Sequence, residues 1–117
     1  MSTYYKVCEI LPNGSLRSVM APHDARVRYQ IGKRTVPRVG CGPLGVFGSK
    51  EETANYLVWP TDKAFECEAE NVREPAESGK IMWGGRLYIV AKKCPPGTLL
   101  ADAVTLTRKL TEEELSS

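Results

Sequence analysis

Histidine is nearly missing from this sequence: His23 is the only one. The four cysteines, Cys8, Cys41, Cys67 and Cys94, stand far apart, and no Cys-x-x-Cys pair occurs. Zinc knuckles and dithiol redox centres need two ligands within a few residues, because a tight turn must present both to one point. Neither motif is present, and the thiols read as reduced groups in a cytoplasmic protein. A single histidine also leaves no pair for a catalytic metal. Long apolar runs are absent too. A membrane-crossing helix needs about 20 consecutive apolar residues, and no stretch approaches that, so no membrane association is expected. The opening residues, Met1 to Lys6, show no basic segment leading into an apolar one, so no secretory signal is expected. Strong net charge is also lacking. Sixteen Lys and Arg against 14 Asp and Glu leave +2, too little to argue for nucleic acid by itself.

What remains is an ordinary globular composition. The 117 residues are 42% hydrophobic and 26% charged, which fits one soluble domain able to bury a core without metal or crosslinks. No internal repeat and no linker long enough to divide it is apparent, so residues 1–117 read as a single domain.

Strand signals dominate. Tyr4 to Leu11 is rich in aromatic and apolar residues and reads as a strand. Pro12-Asn13-Gly14 is a turn signal, since Pro fixes φ and Asn-Gly accepts positive φ, and Leu16 to Met20 returns as a hairpin partner. Arg26 to Ile31 alternates, with Val27, Tyr29 and Ile31 on one face and Arg26, Arg28 and Gln30 on the other. Gly32-Lys33 breaks the pattern, Thr35 to Val39 extends it, and Pro37 marks an edge. Leu44 to Phe47 is a short apolar strand. Lys63 to Glu70 alternates again, Phe65, Cys67 and Ala69 inward and Glu66, Glu68 and Glu70 outward. Asn71 to Lys80 is a polar loop, and Ile81–Trp83 and Arg86–Ala91 form a hairpin about Gly84-Gly85. Leu87 to Ala91 is apolar throughout, as for a strand covered on both faces. Cys94-Pro95-Pro96-Gly97 is a rigid bend, and Leu99 to Leu110 is one long final strand.

One helix stands out, at about 49–58. Ser49 with Glu52 three residues on makes a capping box, Ala54, Leu57 and Val58 face the core, and Pro60 ends it. The tail from Thr111 either begins a short helix or frays. The sum is an α+β fold, mainly antiparallel, with about seven strands as a barrel-like or split sheet and one short helix.

Five features bear on function. Between Ala25 and Lys50 lie Arg26, Arg28, Lys33, Arg34, Arg38 and Lys50 with no acid. Guanidinium forks match phosphate and carboxylate oxygens in pairs, so Arg26 and Arg28 are candidate ligand-binding residues. The plainer and favoured reading makes them a cross-strand ladder with Glu66, Glu68 and Glu70. Gly40, Gly42, Gly45 and Gly48 flank a strand running into the Ser49 helix, yet their spacing matches neither phosphate-loop nor dinucleotide motifs. His23 sits beside Asp24, a pairing that suits a general base but more often marks an exposed loop. Cys41, between two glycines, is the most accessible thiol and the one candidate reactive cysteine. Trp59, Trp83, Tyr4, Tyr5, Tyr56 and Tyr88 read as packing residues.

The segment Leu44-Gly45-Val46-Phe47-Gly48-Ser49-Lys50-Glu51-Glu52-Thr53-Ala54-Asn55-Tyr56 resembles the strand-then-helix element of the ADP-ribosyltransferase fold. That resemblance implies an NAD site in which Tyr56 packs on the nicotinamide and Phe47 walls the pocket, with Ser49 opening the helix. It leaves Arg26, Arg28 or His23 as the upstream NAD contact. It spans about a dozen residues, and the family's upstream motif and late-strand glutamate are not recognisable. In size and pattern the whole chain also resembles small proteins of viral and microbial genomes. The first functional reading is a non-catalytic binding protein with a protein partner and no cofactor, as in a viral or mobile-element accessory protein. Its surface is the basic 26–38 stretch or the 71–80 loop. An NAD- or nucleotide-binding transferase is the alternative, and a nucleic-acid-binding barrel the third.

Overall fold

The computed structural model describes residues 3–19, 27–38, 43–57, 59–74, 80–83, 86–89 and 97–116. Within them the alternating segments become strands. Along β6 (Asp62–Glu70), Phe65 and Cys67 are buried while Glu68 and Glu70 face solvent. β1 (Tyr4–Ile10) lies antiparallel against it, from Tyr4 opposite Cys67 to Glu9 opposite Asp62. The other side of β1 is shared. β2 (Leu16–Ser18) takes its C-terminal half and β5 (Leu44–Phe47) meets it at Tyr5 and Phe47. The β1–β2 turn closes where the Pro-Asn-Gly signal falls, with Gly14 at φ 84°. β3 (Arg28–Tyr29) pairs with β2, β4 (Arg34–Thr35) with β10 (Ala103–Lys109), and β10 with β6, all antiparallel. The path is therefore β3-β2-β1-β6-β10-β4. β9 (Thr98–Ala101) pairs with β5. A separate hairpin, β7 (Lys80–Trp83) with β8 (Arg86–Ile89), forms as the Gly84-Gly85 signal predicts, although those glycines themselves lie outside the described residues.

The expected single strand over 99–110 is divided. The chain bends at Asp102, whose backbone N–H donates to the Glu70 carbonyl at 2.9 Å. Before the bend it serves β5 and after it β6. The sheet thereby wraps over its own core, although its ladder stays open. Cys8, Leu16, Tyr29, Val46, Phe65, Cys67, Val104 and Leu106 fill the interior.

The mid-chain helix is shorter than its pattern. α1 spans Lys50–Ala54, with Ser49 accepting from the Glu52 N–H and Asn55 closing it. Tyr56 and Leu57 bond three residues back, to Thr53 and Ala54, which tightens the last turn. Pro60 disfavours helical backbone at the residue before it, and the Trp59 N–H is taken instead by the Asp62 carboxylate at 3.0 Å. Thr53 is the fully buried residue of α1, not Ala54; Val58 lies outside the described residues. The tail forms a second helix, α2 (Glu112–Ser116), under another capping box: Thr111 Oγ1 accepts from the Glu114 N–H, and the Glu114 carboxylate accepts from the Thr111 N–H.

Candidate functional site

The two edges of the main path, β3 and β4, are neighbours in the chain. A four-residue turn joins them. Lys33 N–H donates to the Gln30 carbonyl at 3.0 Å, Gly32 takes φ 85°, and its N–H reaches across to the Leu106 carbonyl at 2.8 Å. In an ordinary hairpin β3 and β4 would pair with each other. Here they do not: β3 pairs with β2 and β4 with β10, on opposite ends of the strand path, and the two arms part.

A groove of about 910 Å³ opens there, lined by Asn13 to Leu16, Arg28 to Ile31 and Lys33 to Val36. Its size lies within the usual range of ligand pockets, about 300–1,000 Å³. Among these lining residues are three cations, Arg28, Lys33 and Arg34, and no carboxylate. Ile31 and Val36, 50% and 48% exposed, add apolar surface to it.

Register explains why positive charge is left over. Arg28 stands opposite Arg17, and Arg17 opposite Glu9. Glu9, the nearer of the two carboxylates in that row, is taken by Arg17 in a salt bridge, and Asp62 beyond it accepts from the Trp59 N–H. Arg28 is left with the Ser15 hydroxyl at 3.0 Å, which itself donates to Asn13. Arg34 is neutralised by a two-pronged contact with Glu70 at 2.7 and 3.1 Å, a contact that also holds the Glu70 carboxyl below its ordinary range. Among the described residues neither Arg28 nor Lys33 has a carboxylate partner.

The expected ladder exists with other partners. Glu70 pairs with Arg34 and Glu66 with Arg108. Arg28 takes no part, because β2 and β1 lie between its strand and β6. Arg26, Cys41 and His23 lie outside the described residues.

The other candidates gather elsewhere. Phe47 is fully buried and stacks on Tyr56 with ring centroids 5.2 Å apart and planes 13° from parallel. Ser49 spends its hydroxyl on the α1 cap, donating to the Glu52 carboxylate at 3.1 Å and accepting from its N–H. Tyr56 thus meets Phe47 where the resemblance implies a nicotinamide. Arg28 lines the groove between β3 and β4, which none of Phe47, Ser49 and Tyr56 lines.

Sequence reasoning passed over Lys6. It is 5% exposed, donates from Nζ to the Gly45 carbonyl at 2.6 Å, and lies 5.3 Å from the centre of the Tyr29 ring. Burial works against its charge, but Tyr29, Cys8 and Cys67 outweigh that and hold the amine above its ordinary value. Burial pushes both thiols up to about 12, with Lys6 opposing. The Tyr29 hydroxyl is raised by the same burial, with the Lys6 charge opposing. Tyr29 therefore forms part of the groove's wall and covers a buried cation. A lysine in a strand that also carries Glu9 gives no periodic signal of burial, so nothing in the sequence marks it.

Among the described residues no group of three or more His, Cys, Asp or Glu is placed to hold a metal, and no helix is long and apolar enough to cross a membrane.

Compared with protein-family models, curated proteins and solved structures, the chain matches none.

Proposed function

We propose that this protein is a non-catalytic binding module whose groove between β3 and β4 receives a carboxylate-rich segment of a partner protein. One observation carries the reading: among the described residues, Arg28 and Lys33 line the groove without a carboxylate partner, and none of the other lining residues is acidic. An anion entering between them replaces water around two cations that the fold leaves unmatched. Ile31 and Val36 supply the apolar contact that a charged ligand alone would not need.

The groove's residues also favour binding over chemistry. Among the described residues that line it there is no thiol, imidazole or carboxylate to act as nucleophile or base. Nucleic acid is the less suited anion. Its bases need exposed aromatic faces for stacking, and Tyr29, the aromatic in the groove, is 5% exposed.

The test is a fluorescence anisotropy titration with labelled polyglutamate at low salt, for the native chain and for Arg28→Glu with Lys33→Glu. Both side chains are exposed, so the double variant keeps its fold, checked by circular dichroism. Binding that disappears in the variant supports the groove; equal binding by both proteins overturns it. A melting-temperature rise with NAD and none with polyglutamate would move the site to Phe47 and Tyr56.

A further inference from the structure

Resting on that reading, we infer that the partner segment enters as an extended strand, pairing by its backbone with the free edges of β3 and β4 and filling the gap in the sheet. Three observations converge. β3 and β4 are the two ends of the strand path, so each carries an edge with no strand beside it among the described residues. Both edges border the same groove. The turn at 30–33 ties them together at one end and is itself anchored by the Gly32–Leu106 bond, so the opening is held and does not have to be prised apart.

An edge strand offers N–H and C=O groups in a fixed spacing, and a chain laid along it gains main-chain hydrogen bonds regardless of its sequence. Sequence preference comes from the side chains beside the edge. Exposed Arg28 and Lys33 are interspersed with exposed Ile31 and Val36. A strand's side chains point alternately to its two faces, so the matching partner alternates acidic with β-branched residues. Pro37, two residues past the end of β4, offers no N–H, which ends the pairing edge on that side.

The experiment uses a labelled hexapeptide alternating glutamate and valine, followed by anisotropy against the full chain. Two further versions carry backbone N-methyl groups, one on the odd and one on the even amides, which removes the N–H groups from one edge or the other and leaves every charge in place. Native binding with a loss of about tenfold or more in at least one methylated version, the size of one or two main-chain hydrogen bonds, supports strand addition. Equal binding of all three, still abolished by Arg28→Glu with Lys33→Glu, overturns strand addition and leaves the acidic groove standing. If none of the three binds, or if a labelled single-stranded oligonucleotide binds more tightly than all of them, both readings fall.

Discussion

Gly97 shows how one residue can be fixed twice. Its φ of +87° is a conformation that residues with a Cβ rarely adopt, and a Cβ built there would lie 1.5 Å from the Glu52 carboxylate. The same carboxylate accepts from Ser49 in the α1 cap, so it cannot swing away without loosening the helix start. Gly97→Ala should lower stability by about 1–3 kcal/mol, read as a shift in urea midpoint. An unchanged midpoint would mean that the Glu52 side chain is not held there. Cys8 and Cys67 make a second prediction at this scale. With thiol pKa values pushed up to about 12 by burial, almost none of either is thiolate near neutrality, and the thiolate is the reactive form. In a Cys41→Ser, Cys94→Ser background, a thiol reagent at pH 7.5 should label neither until denaturant is added. Rapid labelling of the folded chain would show that the interior opens.

The helices depend on their caps and on packing, Thr53 of α1 being fully buried, because five residues cannot form a helix stable by itself. Ser49→Ala should cost about 1 kcal/mol and leave binding of the acidic hexapeptide unchanged, which separates the cap from the groove. α2 carries a pH dependence. Hydrogen bonds from Arg108 and from the Thr111 backbone lower the Glu114 carboxyl from 4.5 to about 2. A carboxyl depressed by folding adds stability above its unfolded value and loses it as pH falls through its folded one. The contribution of Glu114 is therefore complete above about pH 4.5 and fades toward pH 2. Glu114→Gln should flatten that part of an acid titration followed by the α2 amide signals. An identical titration in both proteins would remove Glu114 from the account. The capping box of Ser49 with Glu52 was legible in the sequence, because the motif is local. The tail from Thr111 reads there as either a short helix or a frayed end, and its box of Thr111 with Glu114 was not legible. Nor was the length of α1, since the turn after Asn55 depends on Asp62 capturing the Trp59 N–H.

For the molecule as a whole, legibility follows the range of the interaction. Alternation in Lys63–Glu70 gave the buried and exposed faces of β6, because period two needs no knowledge of neighbours. It could not name those neighbours. Arg34 and Arg108, and not Arg28, reach Glu70 and Glu66 because strand order places β4 and β10 on that side. The groove has the same origin: Gly32 and Pro37 hinted at a turn and an edge, but only the sheet's path brings its two ends to one place. That arrangement makes a prediction independent of affinity. A strand seated between β3 and β4 would protect their free-edge amides from solvent and leave the strand β5 and helix α1 as they were. Hydrogen exchange with saturating acidic hexapeptide should slow within residues 28–36 and stay unchanged over 44–56. Protection over 44–56 instead would place the ligand against Phe47 and Tyr56. Protection in neither segment would mean that the peptide is held by charge alone, without joining the sheet.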